Sequence, residues 1–356
     1  MVLATVVVCQ ALAAMWLWRR GRVDGQHLPV VQQQGNPLPA LFPHVDFRRL
    51  YPGMNEGEID QLQREGIAVR FLFAPFVQFE PMPVTGRFVE VTPAGFRRGR
   101  GEQPWPPRDE DLVVFVFGGS TTFSYGLPGG ESLVSALQDE LARLDSPGRV
   151  ECYNFGRGYY FSTQERILFE QLLLQGVRPD VAVFIDGLND FFFWDGRPWL
   201  TAELSAFMAP DLTSPAEMLD TEAARAAAVD SMLTRYGRNA RLTEAVACEH
   251  SVSVLFVGQP VPFFDFPRNS NTDPFGAVFG GHELCAWGYP RFREEALAGQ
   301  FGRSFIWCGD AFAGASTPMF VDSIHYSAEG ARQLATTIVE RAANRRLLPD
   351  RQSGSR

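Results

Sequence analysis

The chain has few of the residues that build metal sites and disulfide scaffolds. Only five cysteines occur in 356 residues, they are widely spaced, and no C-x-x-C pair is among them, so neither a zinc ribbon nor a disulfide framework is signalled. Most of them read as apolar fillers, and Cys285 with Cys308 is a candidate bridge only if the chain is exported. Five histidines likewise lack metal-ligand spacing, and no metal or other cofactor is called for. Basic residues are outnumbered, 32 Lys and Arg against 41 Asp and Glu for a net charge of −9, which argues against nucleic acid as a partner because phosphate neutralisation needs a basic face. No internal repeat is evident.

What is present in quantity is apolar: 46% hydrophobic residues suffice for a large core in one main domain with accessory segments. Met1 to Trp18 carries no charge and ends at Trp16 and Trp18, just before Arg19-Arg20-Gly21-Arg22. This predicts a single N-terminal membrane anchor near the minimum spanning length, and makes the membrane a partner. A cleaved signal peptide is the competing reading, but the basic residues follow the apolar run and Trp-Leu-Trp is a poor cleavage context. By the positive-inside rule that flank would keep the soluble part in the cytoplasm.

Residues 19–110 read as a linker followed by a small appendage. The appendage should hold a helix around Glu56 to Glu65, strands around Val69 to Phe73 and Arg87 to Val91, and a boundary at Trp105-Pro106-Pro107. The cluster Arg97-Arg98-Gly99-Arg100 reads as a solvated loop. From Asp111 the pattern alternates. Strands are predicted at Leu112 to Phe117, Val150 to Phe155, Val181 to Ile185, Val252 to Val257 and Phe305 to Cys308. Helices are predicted at Ser132 to Leu144, Gln164 to Gln175, Pro215 to Leu233, Leu242 to Glu249 and Ala328 to Arg345. Residues 346–356 read as a disordered tail. Strand and helix in alternation imply an α/β fold, a mostly parallel sheet with helices on both faces.

In such sheets ligands sit beyond the carboxyl ends of the strands. Ser120, Gly156 and Asn189 each fall just past a predicted strand. A serine hydroxyl becomes a nucleophile when a base can take its proton. His325 is that candidate base, and Asp322, three residues earlier, can fix its tautomer. Ser120 and Gly156 through their backbone amides, and Asn189 through its side chain, are candidate donors to an oxyanion. Asp186 and Asp190 read as structural supports of the loop that presents Asn189. His282 is a rival base with no orienting acid nearby. Two aromatic stretches, Phe191 to Trp199 and Pro262 to Tyr289, either pack in the core or line an acyl or glycan pocket.

Four segments, Val-Phe-Gly-Gly-Ser-Thr-Thr-Phe (116–123), Asn-Phe-Gly-Arg-Gly-Tyr (154–159), Gly-Leu-Asn-Asp (187–190) and Asp-Ser-Ile-His (322–325), resemble in order and spacing the sequence blocks of the SGNH, or GDSL-like, hydrolases. The resemblance spans residues 111–345. It implies a three-layer α/β/α sandwich of flavodoxin-like character and metal-free ester or acyl-group hydrolysis, with Ser120 as nucleophile, His325 and Asp322 completing the triad, and Ser120, Gly156 and Asn189 forming the oxyanion hole. Gly119 stands where the family's first block has an acidic residue, as in a Gly-Gly-Ser branch. The run Gly86 to Arg97, ending Ala94-Gly95-Phe96-Arg97, resembles a segment that precedes the catalytic domain in membrane-attached bacterial members, which implies an extracytoplasmic domain against the charge flank. The substrate is then an acylated small molecule, lipid or glycan. An O-acyltransferase or deacetylase on envelope polysaccharide, and a non-catalytic envelope scaffold, are the alternatives.

Overall fold

The computed structural model describes residues 44–144, 148–198, 219–269, 271–276 and 281–348. The proposed anchor, the linker up to residue 43, Trp199, Phe279 and residues 349–356 lie outside them. Among the described residues no helix is long and apolar enough to cross a membrane.

The appendage begins with α1 (Glu56–Ile67), started by a capping box in which Asn55 and Glu58 satisfy each other's backbone amides. Two antiparallel pairs follow, β1 (Phe71–Ala74) with β2 (Gln78–Pro81) and β3 (Val84–Thr85) with β4 (Glu90–Val91). The Arg97 amide then donates to the Asn154 carbonyl at 2.8 Å, which stitches the appendage to the main sheet.

That sheet has five parallel strands. β5 (Leu112–Gly118) leads into α2 (Ser120–Phe123) and α3 (Leu133–Ala142), then β6 (Val150–Asn154), α4 (Ser162–Leu174), β7 (Val181–Asp186), α5 (Leu188–Phe192) and α6 (Glu222–Glu249). β8 (Ser253–Gly258), α7 (Glu283–Leu297), β9 (Phe305–Trp307) and α8 (Ala328–Asn344) follow. The spatial order is β6-β5-β7-β8-β9, which is the flavodoxin-like order. Its strands are continuous apolar runs because both faces are covered. Val114, Val116, Val183 and Ile185 point to the side where α1, α3 and α8 pack. Phe115, Phe117, Phe184 and Phe256 point to the side of α4, α6 and α7. There Phe117 stacks on Phe184 at 4.8 Å and Phe184 on Phe256 at 5.4 Å, an aromatic ladder running across the strands.

Several expectations are corrected. The helices expected at Pro215 to Leu233 and Leu242 to Glu249 are one 28-residue helix from Glu222, since Tyr236, Gly237, Asn239 and Ala240 in the gap between them are buried against the core. α7 was not foreseen at all, because Gly288 and Pro290 inside it weaken any helical signal. At the expected boundary, Trp105 packs against Phe96, Phe115, Tyr153 and Phe155. Cys285 and Cys308 are free, buried thiols, in line with the apolar-filler reading and not with the candidate bridge. Leu347 and Leu348, placed in a disordered tail, pack against the core.

Arg97 is the largest departure. The solvated loop expected there holds a guanidinium that is 1% exposed. It donates to the carbonyl oxygens of Phe123, Ser124 and Leu127 and lies 4.8 Å over the Phe123 ring. The carbonyls left over where α2 ends are thereby satisfied from a segment more than twenty residues upstream.

Candidate active site

β5 ends at Gly118 and the chain turns into α2 with Ser120 as its first residue. β7, its neighbour in the sheet, ends at Asp186 and turns into α5, which carries Asn189. The strand order reverses between these two, so both residues stand at the topological switch point where open α/β sheets bind ligands.

Gly119 explains how they come together. A Cβ there would lie 2.3 Å from Asn189 Nδ2, so the bare backbone lets the asparagine amide approach the serine turn. Asn189 Nδ2 donates to the Tyr160 carbonyl at 2.7 Å, which fixes the amide plane and leaves its second N–H available. Asp190 holds the loop from behind, accepting from Ser162 Oγ at 2.6 Å. The adjacent Asn189 and Asp190 side chains thus take different partners.

Asp322 and His325 sit in a tight reversal in which Phe320 and Tyr326 pair across the loop, just before Ser327 caps α8. Asp322 Oδ2 lies 2.7 Å from His325 Nδ1, while Oδ1 accepts from the amides of Ile324 at 2.8 Å and His325 at 2.7 Å. Burial alone would push the Asp322 carboxyl up, but the His325 ring and these N–H groups outweigh it and hold it below the usual carboxylate range. With Nδ1 facing a carboxylate, His325 Nε2 is the free position, and it is buried without a partner.

A cavity of about 530 Å³ joins the two halves, with Ser120, Asn189 and His325 all in its wall, a size typical of small-molecule sites. Ser120 Oγ and His325 Nε2 are not hydrogen-bonded to each other; such contacts commonly tighten only in the substrate complex. The two halves are also tied behind the cavity. Thr121 Oγ1 donates to Gln259 Oε1 at 3.4 Å, and Gln259 Nε2 to the Tyr326 hydroxyl at 3.1 Å.

Gly156 stands apart. Its amide donates to Asn154 Oδ1 at 2.9 Å, and a Cβ there would lie 2.4 Å from the Phe123 nitrogen. Asn154 Nδ2 in turn donates to the Thr122 carbonyl at 2.9 Å. Gly156 is thus a close-packing position that staples β6 to α2, and the cavity wall is formed instead by Gly158 and Tyr159 further along the same loop. Tyr159 has a left-handed backbone, φ 65°, uncommon for a residue with a side chain and a feature that clusters at functional sites.

The aromatic stretches divide between the core and the cavity wall. Phe191, Phe193, Phe275 and Tyr289 are buried, whereas Phe192 lines the cavity. His282 lines it too, with no acid behind it among the described residues; burial and then the charge of His325 push its pKa down to about 4. A buried ring nitrogen without a partner, as His282 Nδ1 is, typically costs about 1–3 kcal/mol. Tyr125 and Ile324 also line it, and a further part of the wall, Gly66, Ile67, Val69 and Phe71, comes from the appendage and was not anticipated as part of the site. The period-two spacing of Ile67, Val69 and Phe71 was the available signal.

No protein-family model matches the chain, and no curated protein matches it. Solved structures do resemble it. They include a G-D-S-L family lipolytic protein from Desulfitobacterium hafniense DCB-2, 11% identical with a TM-score of 0.37 over 65% of this chain and 98% of that one. The lipase Lip_vut3 from a goat rumen metagenome is 14% identical with a TM-score of 0.44, covering 67% of this chain and 100% of its own. Est24, a carbohydrate acetylesterase from Sinorhizobium meliloti, is 17% identical with a TM-score of 0.38, over 65% of this chain and 98% of its own. At these identities and scores the likeness assigns no residue and no substrate.

Proposed function

We propose that the chain is a serine hydrolase that cleaves a carboxylic ester or O-acyl group through an acyl-enzyme. One observation carries this reading: His325, held through Nδ1 by Asp322 and with Nε2 unpaired, opens into the same cavity as Ser120 and Asn189. His325 Nε2 takes the hydroxyl proton as Ser120 Oγ bonds to the acyl carbon. The tetrahedral oxyanion is met by the Ser120 amide and by the free N–H of Asn189; Gly156 is left out, because its amide already serves Asn154. Collapse breaks the ester C–O bond, and the imidazolium gives its proton to the leaving alcohol. Water then repeats the sequence on the acyl-enzyme, returning Ser120 and releasing the acid. Asp322 stays ionised throughout and stabilises the imidazolium.

The test is covalent labelling by a fluorophosphonate probe, with hydrolysis of a panel of short and long acyl esters alongside. The wild-type chain should label and Ser120→Ala should not. No labelling of the wild type, or labelling that survives Ser120→Ala, sinks the reading and leaves the non-catalytic scaffold in its place.

A further inference from the structure

The serine mechanism gives no task to the imidazole of His282 in the cavity wall. His282 precedes α7, is 7% exposed, and has its ring centroid 5.1 Å from Phe192 and 6.3 Å from Phe263, nearly parallel to the latter at 24°. Its ring makes no hydrogen bond among the described residues, and Nδ1 is buried without a partner. Native proteins leave few buried polar atoms unpaired, and those that remain ask for an explanation. His325 Nε2 is explained by proton transfer; His282, with no carboxylate behind it among the described residues, is not.

The surroundings narrow what would pair with it. Burial and the nearby His325 keep the imidazole uncharged at neutral pH, so one ring nitrogen donates and the other accepts. An anionic substrate group finds no positive charge in such a ring, and a plain alkyl group would leave the nitrogen unpaired. A hydroxyl, which both donates and accepts, satisfies either tautomer, while Phe192 in the same cavity wall offers apolar surface to the carbon skeleton that bears it.

We infer that His282 is a substrate-recognition residue that hydrogen-bonds a hydroxyl of the ester, so that hydroxylated esters are preferred to plain alkyl esters. The inference rests on the serine-hydrolase reading above. A site built to bond a substrate hydroxyl rejects the analogue lacking it far more strongly than an apolar pocket separates two alkyl groups.

The experiment compares kcat/KM of the full chain within two matched pairs. Glycerol monoacetate against propyl acetate places the hydroxyl on the alcohol side; propyl 3-hydroxybutyrate against propyl butyrate places it on the acyl side. The wild type should favour the hydroxylated member of one pair by about tenfold or more, and which pair shows it identifies the side. His282→Phe, which keeps the aromatic packing, should reduce that ratio by about tenfold, chiefly through KM of the hydroxylated ester. His282→Gln, which keeps a donor and an acceptor, should recover part of it. No preference in either pair, or a ratio unchanged in both variants, overturns the role of His282 while fluorophosphonate labelling of Ser120 stands. Absence of labelling in the wild type overturns both readings.

Discussion

Asp322 Oδ2 and His325 Nδ1 are 2.7 Å apart, and the other oxygen of the same carboxylate is occupied by the backbone amides of residues 324 and 325. The acid is therefore held in place by the loop it serves, with Nδ1 of the imidazole turned toward it.

Asp322→Asn should lower turnover by on the order of 10²- to 10⁴-fold, because the amide no longer compensates the imidazolium and favours the wrong tautomer. It should also remove a pH-dependent part of stability. The folded carboxyl lies below its ordinary value, so its contribution is fully present above about pH 4 and is lost as pH falls through the folded value. Melting curves of wild type and Asp322→Asn should converge on acidification; a gap that widens there would contradict the assignment.

Arg97→Ala should cost stability on the order of 3 kcal/mol, since it orphans the buried carbonyls of Phe123, Ser124 and Leu127 at once. Arg97→Lys should recover only a minor part, because an ammonium cannot serve these oxygens with a planar fork or lie flat over Phe123. Urea denaturation measures both. If Arg97→Ala unfolds at the wild-type midpoint, the guanidinium does not hold the Ser120 turn.

These two sites differ in how visible they are in the sequence. The strands that end at Ser120 and Asn189 were legible because a sheet covered on both faces demands continuous apolar runs, as Leu112 to Phe117 and Val181 to Ile185 are. Asp322 and His325 were legible because their contact is local. Arg97 was not, since an Arg-Arg-Gly-Arg string says nothing about which side chain turns inward, and the carbonyls it serves are distant in sequence. For Ile67, Val69 and Phe71 the period-two spacing signals a buried face but not the distant cavity that it lines. The long helix α6 was read as two because its middle, Tyr236-Gly237-Arg238-Asn239, has weak helical propensity that burial overrides.

Gly119→Ala should reduce turnover by about 10²- to 10³-fold, similar to Asn189→Ala, since both take the asparagine donor out of place. Gly119 has φ −80°, where any residue fits, so space alone is at issue: the new methyl meets Asn189 Nδ2 at 2.3 Å. The double variant should lose little more than either single one. Multiplying losses would mean that Gly119 acts on something other than Asn189.

Beneath the Asn189 loop lie three buried carboxyl groups, Glu165, Asp186 and Asp190, with Arg235 as the nearby counter-charge, 3.9 Å from Asp190. Burial, then the charge of Asp186, pushes the Glu165 carboxyl well up; burial, then the charge of Asp190, does the same to Asp186. A raised folded pKa means that the native state holds protons the unfolded chain has released, so this contribution is present at acid pH and fades as pH rises through the folded values. Glu165→Gln keeps the shape and removes one titration. The wild type should therefore lose melting temperature between about pH 5 and about pH 8 relative to Glu165→Gln, and the variant should be the more stable of the two at the upper end. Parallel melting profiles across that range would mean that Glu165 is ionised in the folded protein and that Arg235, or a group beyond it, neutralises the cluster.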